Sequence, residues 1–398
     1  MAQNAGTGLD GIRELVSLSD TIIKQLMAQS YEPKKAKQLN IRYSITEVAE
    51  MVGRTPAGIR KAEANKQLPA PLRDAQNRRV GYSLEEVNHM RDIFGTRPRR
   101  QADEEPVVLS IQNFKGGVGK STMTTHLSQY LARRGYRVLV IDCDSQASTT
   151  AAFGYRPDLD LTENDTLRPL FSHGGQKTLD YAIRPTYWPG LDLIGANLSL
   201  YTSEYDLAGM AGREGGVTWL NRLSDGIDTL KERYDIILMD PPPALGMISL
   251  NVLRAANALI IPTPAAMYDY HSTVTFLRMM DEVLSSVERL LGEEVNYKFL
   301  KLLISKLDDS KSAQTALANM MKGVYAKYIC RAVLKDSAEI DNAGADWKTV
   351  YELEDATTSR SVYKRCVTIL DNVCKEIESL IRSTWPSHRE ALEQEGYM

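Results

Sequence analysis

Apolar positions follow two different rhythms, and the change falls near residue 106. Ahead of it the spacing is helical. Ile12, Leu15, Val16, Leu18, Ile22, Ile23, Leu26 and Met27 recur at intervals of three and four, predicting an amphipathic helix over residues 9–30. Such a helix has little of its own domain to pack on, so it is expected to be a dimerisation arm, the alternative being that it lies back on the main body. Residues 44–52 place Ile45, Val48, Ala49 and Val52 on one face. Gly53-Arg54-Thr55-Pro56 then ends one helix and starts the next: glycine stops the first, Thr55 caps the second, and Pro56 suits its first turn. The second helix, 56–65, buries Ile59 and Ala62 and turns Arg60, Lys61 and Lys66 outward. After Leu68-Pro-Ala-Pro71, the composition of Asn77-Arg-Arg-Val-Gly-Tyr82 is that of a hairpin. Ser83 and Glu86 form a capping box for a helix over 84–94.

From Val107 onward, short and nearly continuous apolar runs alternate with helical stretches. Runs at 107–111, 137–146, 191–196, 235–243, 258–262 and 298–305 read as strands covered by helices on both faces. The fold class predicted is α/β, a doubly wound and mostly parallel sheet, preceded by a long N-terminal helix and a winged helix–turn–helix. The divisions are 1–37 (helix and connector), 38–95 (the small helical module), 96–106 (a linker, TRPRRQADEEP) and 107–398 (the sheet domain).

Charge adds one fact. The chain of 398 residues is net −3, yet residues 31–100 hold 15 Lys and Arg against 8 Asp and Glu, while residues 101–398 hold 31 against 40. A basic module on an acidic body points to nucleic acid. In the second helix and its hairpin the candidate DNA contacts are Arg54, Thr55, Arg60, Lys61, Arg78 and Arg79. The order of Ile45, Ala49, Gly53 and Ile59, followed by a basic hairpin ending Gly81-Tyr82, resembles the winged helix–turn–helix of MerR-like regulators over about 40 residues. The four cysteines have neither disulfide nor zinc spacing, which fits a reduced, cytoplasmic setting. No apolar run approaches membrane-spanning length, and no signal peptide is expected.

The chemistry gathers where the runs end. Lys115-Gly116-Gly117-Val118-Gly119-Lys120-Ser121-Thr122 joins an apolar strand to a helix, the arrangement of a phosphate cradle. Glycines let successive N–H groups turn toward phosphate oxygens; Lys120 supplies charge on the β/γ phosphates, and Ser121 a magnesium ligand. The usual first glycine is replaced by Phe114, and Lys115 is an additional lysine. Asp142 and Asp144 close one strand and Asp240 another. Asp144 would place a nucleophilic water, while Asp142 and Asp240 would serve the metal side.

K-G-G-V-G-K-S, with D-C-D-S-Q and D-P-P-P, resembles the ParA/MinD group of deviant Walker A ATPases, and with the N-terminal helix and basic module the whole chain resembles a type Ia ParA. The resemblance implies ATP/ADP and Mg2+ as ligands and a homodimer in which Lys115 reaches the partner's phosphates. It also implies sequence-independent DNA binding by the ATP-bound dimer, hydrolysis stimulated by a ParB-like centromere-binding protein, nucleoid association, and operator binding through the N-terminal module for autorepression. Ser145 departs from the usual proline of D-x-D-P-Q. Basic residues Arg331, Lys335, Lys348, Arg360, Lys364 and Arg365 are candidates for the non-specific DNA face. A MinD-like membrane ATPase would need a basic amphipathic C-terminus, whereas residues 387–398 are acidic. A nitrogenase-reductase-like carrier would need a second, suitably placed cysteine. A nucleotide-regulated transcriptional repressor without ATPase function would not need the carboxylates.

Overall fold

The computed structural model describes residues 8–30, 37–213 and 217–397. The connector at 31–36 and the side chains of Ile23, Leu26 and Met27 lie outside the described residues. Seven strands form one sheet: β1 (Val107–Ile111), β2 (Val138–Asp142), β3 (Ile183–Pro185), β4 (Leu191–Ile194), β5 (Ile236–Asp240), β6 (Ala258–Pro264) and β7 (Phe299–Ser305). Their spatial order is β3-β4-β2-β5-β1-β6-β7, with every pairing parallel except β3 with β4. The continuous apolar runs have the expected cause, since β1, β2, β5 and β6 are buried at every position. The edge strand β3 went unread because Ile-Arg-Pro is three residues long and none of the three is fully buried. It covers the outer edge of β4 in the antiparallel sense.

The helix that follows β1, α5 (Lys120–Arg134), is stopped at Gly135, whose φ of 108° suits glycine alone. Before the sheet come α1 (Gly8–Ser30), α2 (Ile45–Met51), α3 (Pro56–Ala64) and α4 (Leu84–Phe94). Their ends follow local chemistry. Thr55 Oγ1 accepts the Gly58 amide at 3.0 Å, and Ser83 and Glu86 close a reciprocal capping box. Gly53 lies at φ 63° between α2 and α3. Bridges Tyr43 to Tyr82 and Arg73 to Arg79 form the hairpin region.

The small module does not hang free. Val48, Ile59, Val87 and Met90 belong to the same buried cluster as Leu127, Tyr136 and Trp385 of the sheet domain. Residues 96–106 are strapped down although they contain almost no apolar surface, because their polar groups find partners on the body. Arg97 donates to the Gly135 carbonyl at 2.8 Å, Trp385 Nε1 donates to the Glu105 carbonyl at 2.9 Å, and Glu104 accepts from the Ser387 amide at 2.7 Å. Conversely, α1 keeps Leu9, Ile12, Leu15, Val16, Leu18 and Ile22 exposed.

Candidate active site

The loop between β1 and α5 is built by its neighbours. Asn113 Nδ2 donates to the Pro262 carbonyl at 2.8 Å and to Thr273 Oγ1 at 3.2 Å, while its Oδ1 accepts the Lys115 amide at 3.0 Å. From β7, Ser305 Oγ donates to the Val118 carbonyl at 2.9 Å. Gly117 (φ 74°) and Gly119 (φ 99°) occupy the left-handed region that side-chain-bearing residues avoid. The turn therefore delivers backbone amides to the N-terminus of α5, where partial positive charge and unpaired N–H groups favour an anion.

Lys120 is buried and donates to the Lys115 carbonyl at 3.2 Å. Burial lowers its pKa, and the charges of Asp240 and Asp144 oppose that shift. Asp142 and Asp240 are register partners at the ends of β2 and β5, both fully buried. Desolvation raises the pKa of each, and for Asp142 the neighbouring Asp240 raises it further. The short helix α6 (Ser148–Ala152) engages both carboxylates. Thr149 Oγ1 donates to Asp240 Oδ2 at 2.7 Å, and the Thr150 amide and hydroxyl donate to Asp142 Oδ2 at 2.8 and 2.7 Å. Asp142 Oδ1 accepts the Asp144 amide at 3.1 Å, which sets the turn carrying Asp144. Ser121 lies close enough to Asp240 to oppose the upward shift of its pKa.

One atom of the pair is left over: Asp240 Oδ1 is buried and has no hydrogen-bond partner among the described residues. An orphaned carboxylate oxygen beside a second buried carboxylate and a hydroxyl is a donor set suited to a hard divalent cation, so the residues fit magnesium. Asp142 has both oxygens engaged in holding the turn at 144–150, which makes Asp240 and Ser121 the better-placed members of the metal-side trio.

Lys115 goes elsewhere. Its ammonium pairs with Asp269, at the start of the helix Met267–Leu291, next to an exposed Met267 and a Tyr268 that is 88% exposed. The loop residues, apart from the Lys115 ammonium, gather with Asp142, Asp144 and Asp240 at the carboxyl ends of β1, β2 and β5. The sequence reading missed Asn113, Thr149, Thr150 and Ser305. Only the Thr-Thr pair behind D-C-D-S-Q-A carried a signal.

The candidate DNA residues lie on the small module. Arg60 and Lys61 are exposed on α3. Thr55 is committed to its cap, and Arg54 stacks over the Phe94 ring with 5.0 Å to the centroid. The expectation for the hairpin pair is narrowed: Arg79 forms an ion pair with Glu63 at 2.6 Å and also donates to Tyr82, so its guanidinium fastens the hairpin to α3. Arg78 remains solvent-facing beside Asp74. Of the C-terminal cations, Lys335 is paired with Asp309, whereas Arg360, Lys364 and Arg365 are exposed at the start of the helix Arg360–Ser383.

A parallel sheet with this loop at its first strand, a buried lysine and paired carboxylates on neighbouring strand ends defines a P-loop nucleoside triphosphatase. The family model for an AAA domain matches residues 107–292. The chain is 35% identical over 362 residues to SopA of Escherichia coli K12, covering 88% of this chain and 91% of SopA. It is 30% identical over 385 residues to a putative replication protein A of Sinorhizobium fredii, covering 93% and 94%. A solved structure titled as a partition protein superimposes with TM-score 0.65 at 22% identity, over 94% of this chain and 99% of that one. The chain belongs to the ParA-type partition ATPases. It is an ATPase, and ATP, ADP and Mg2+ are its ligands.

Proposed function

We propose that this ATPase segregates DNA by an ATP-driven dimerisation cycle in which Lys120 and Ser121 hold the β/γ phosphates with magnesium, Asp240 and Asp142 support the metal, and Asp144 places the attacking water. Bound magnesium neutralises phosphate charge. The observation that carries the cycle is the position of Lys115, which its own Asp269 holds on an exposed face with Met267 and Tyr268. A second protomer docking on that face would offer its phosphates to this lysine, and the hydrolytic site would be complete only then. The exposed apolar face of α1 supports a second, nucleotide-independent contact between protomers.

The dimer would bind DNA without sequence preference through cations such as Arg360, Lys364 and Arg365. A ParB-like centromere-binding partner would stimulate hydrolysis and release it, and the module at 38–95 would bind the operator, favoured by ADP. Among the described residues no helix is long and apolar enough to cross a membrane, and Leu392 of the helix Arg389–Gln394 is buried. The test uses Asp144→Ala with ATP and magnesium on random-sequence duplex. Binding should appear with ATP and not with ADP, and it should weaken by about 10³-fold between 50 and 200 mM salt. Binding that ignores nucleotide and salt would refute the cycle.

A further inference from the structure

Lys37 lies outside every motif, yet it reaches the short helix α6 that holds Asp142 and Asp240. It opens the segment that leads through the Leu39 and Ile41 contacts to Tyr43, whose amide donates to the Tyr82 carbonyl at 2.8 Å at the root of the small module. Its ammonium does not point to solvent. It donates to the Ala152 carbonyl at 2.8 Å and the Trp347 carbonyl at 2.7 Å, pairs with Glu352 at 3.3 Å, and stands 4.8 Å from the Tyr187 ring centroid.

Each partner belongs to a different part of the ATPase domain. Ala152 is the last residue of α6, where helix carbonyls lack intrahelical partners and a cation is favoured. The same five-residue helix carries Thr149 and Thr150, which hold Asp240 and Asp142. Glu352 accepts from the Thr349 amide at 2.7 Å and from Gln129 of α5 at 3.3 Å, so it leans on the helix that begins with the phosphate loop. Trp347 adopts a left-handed φ of 56° while offering its carbonyl.

The chain also leaves room for this side chain. Gly154 lies at φ 86°, and a Cβ there would come within 3.0 Å of Lys37 Cδ. A short helix with metal-side carboxylates at one end and, at the other, a charge from the residue that leads into the small module is a lever.

We infer that Lys37 is a positioning residue for hydrolysis, and that it is the contact through which the N-terminal module and the nucleotide switch report to each other. The second half rests on the reading of that module as an operator binder; the first does not. By reciprocity, whatever shift in operator affinity the nucleotide produces through this contact, operator DNA produces in nucleotide affinity.

The test uses the full chain carrying Lys37→Met, with Lys37→Arg as the conservative rescue and Gly154→Ala as an independent block of the same slot. Turnover should fall about tenfold with KM for ATP changed less than about threefold, Lys37→Arg should restore most of it, and Gly154→Ala should reproduce the loss. The ratio of operator affinities in ADP and in a slowly hydrolysed ATP analogue should be at least about fivefold in the unmodified protein and near one in Lys37→Met. A lower melting temperature with kcat per folded molecule and the affinity ratio both unchanged would overturn the inference. Absence of operator binding in the unmodified protein, with the kcat loss and its rescue intact, would overturn the operator reading and leave Lys37 as a positioning residue. Should Lys37→Met not fold, amide exchange in the unmodified protein decides: residues 37–43 should exchange at different rates with ADP and with the ATP analogue, and identical rates would refute the coupling.

Discussion

Lys115 and Lys120 share one glycine-rich turn, yet Lys120 faces the carboxylates of the cleft while Lys115 is paired outward with Asp269. The division of labour follows from burial. A lysine sealed beside Asp144 and Asp240 is poised for phosphate charge, and one held on a rim ion pair is free to exchange partners. Lys120→Ala should abolish magnesium-dependent phosphate release. Asp144→Ala should keep ATP binding while slowing hydrolysis about 100-fold or more, read by nucleotide titration alongside a phosphate assay. Retained turnover in either variant would remove that residue from the site. At this scale the sequence was highly legible for 115–122, 142, 144 and 240, because glycine spacing and strand-terminal aspartates are local signals. It was silent on Asn113 and Ser305. The bond from Ser305 to Val118 joins β7 to the loop after β1, and nothing in either segment alone records it.

At the scale of single elements, α5 does more than present the loop. His126 is buried in it, with Nδ1 2.7 Å from the Thr122 carbonyl and Nε2 3.3 Å from the Val350 amide. That pattern requires the neutral ring, Nδ1 donating and Nε2 accepting, and burial lowers the pKa to about 4. A folded-state pKa below the unfolded value near 6.5 gives stability that is complete above that value and is lost as pH falls toward 4. The loss between pH 7.5 and 5 should be about 2 kcal/mol. Melting temperatures of the unmodified chain and of His126→Gln at those two pH values check this: the drop should shrink in the variant. On α3, Arg60 and Lys61 are the exposed cations, whereas Arg79 serves the ion pair with Glu63. Arg60→Ala with Lys61→Ala should weaken operator binding by about tenfold or more while leaving ATPase turnover within about twofold. Footprints identical to the unmodified protein would remove α3 from the interface. Helix starts were readable because Thr55, Ser83 and Glu86 cap them as their chemistry dictates. The strand β3 was not, since three residues without a fully buried position carry no periodicity.

Across the whole molecule, one hydrophobic cluster runs from the small module into the sheet domain, and Arg97 and Arg100 fasten the joining segment to carbonyls of the body. Composition suggested a bare linker there because it registers the lack of apolar residues and not the partners that polar ones will find. The same geometry gives the account its central claim, that the hydrolytic site is completed by a second protomer's Lys115. Mixing two inactive chains tests this most directly. Lys115→Ala keeps Asp144 but lacks the reaching lysine, and Asp144→Ala keeps the lysine but lacks the water-placing carboxylate. In a mixed dimer one site regains both, so an equal mixture should recover about a quarter of the turnover of the unmodified protein, while each variant alone stays near zero. An equal mixture as inactive as its components, with both chains folded and ATP-bound, would contradict the claim.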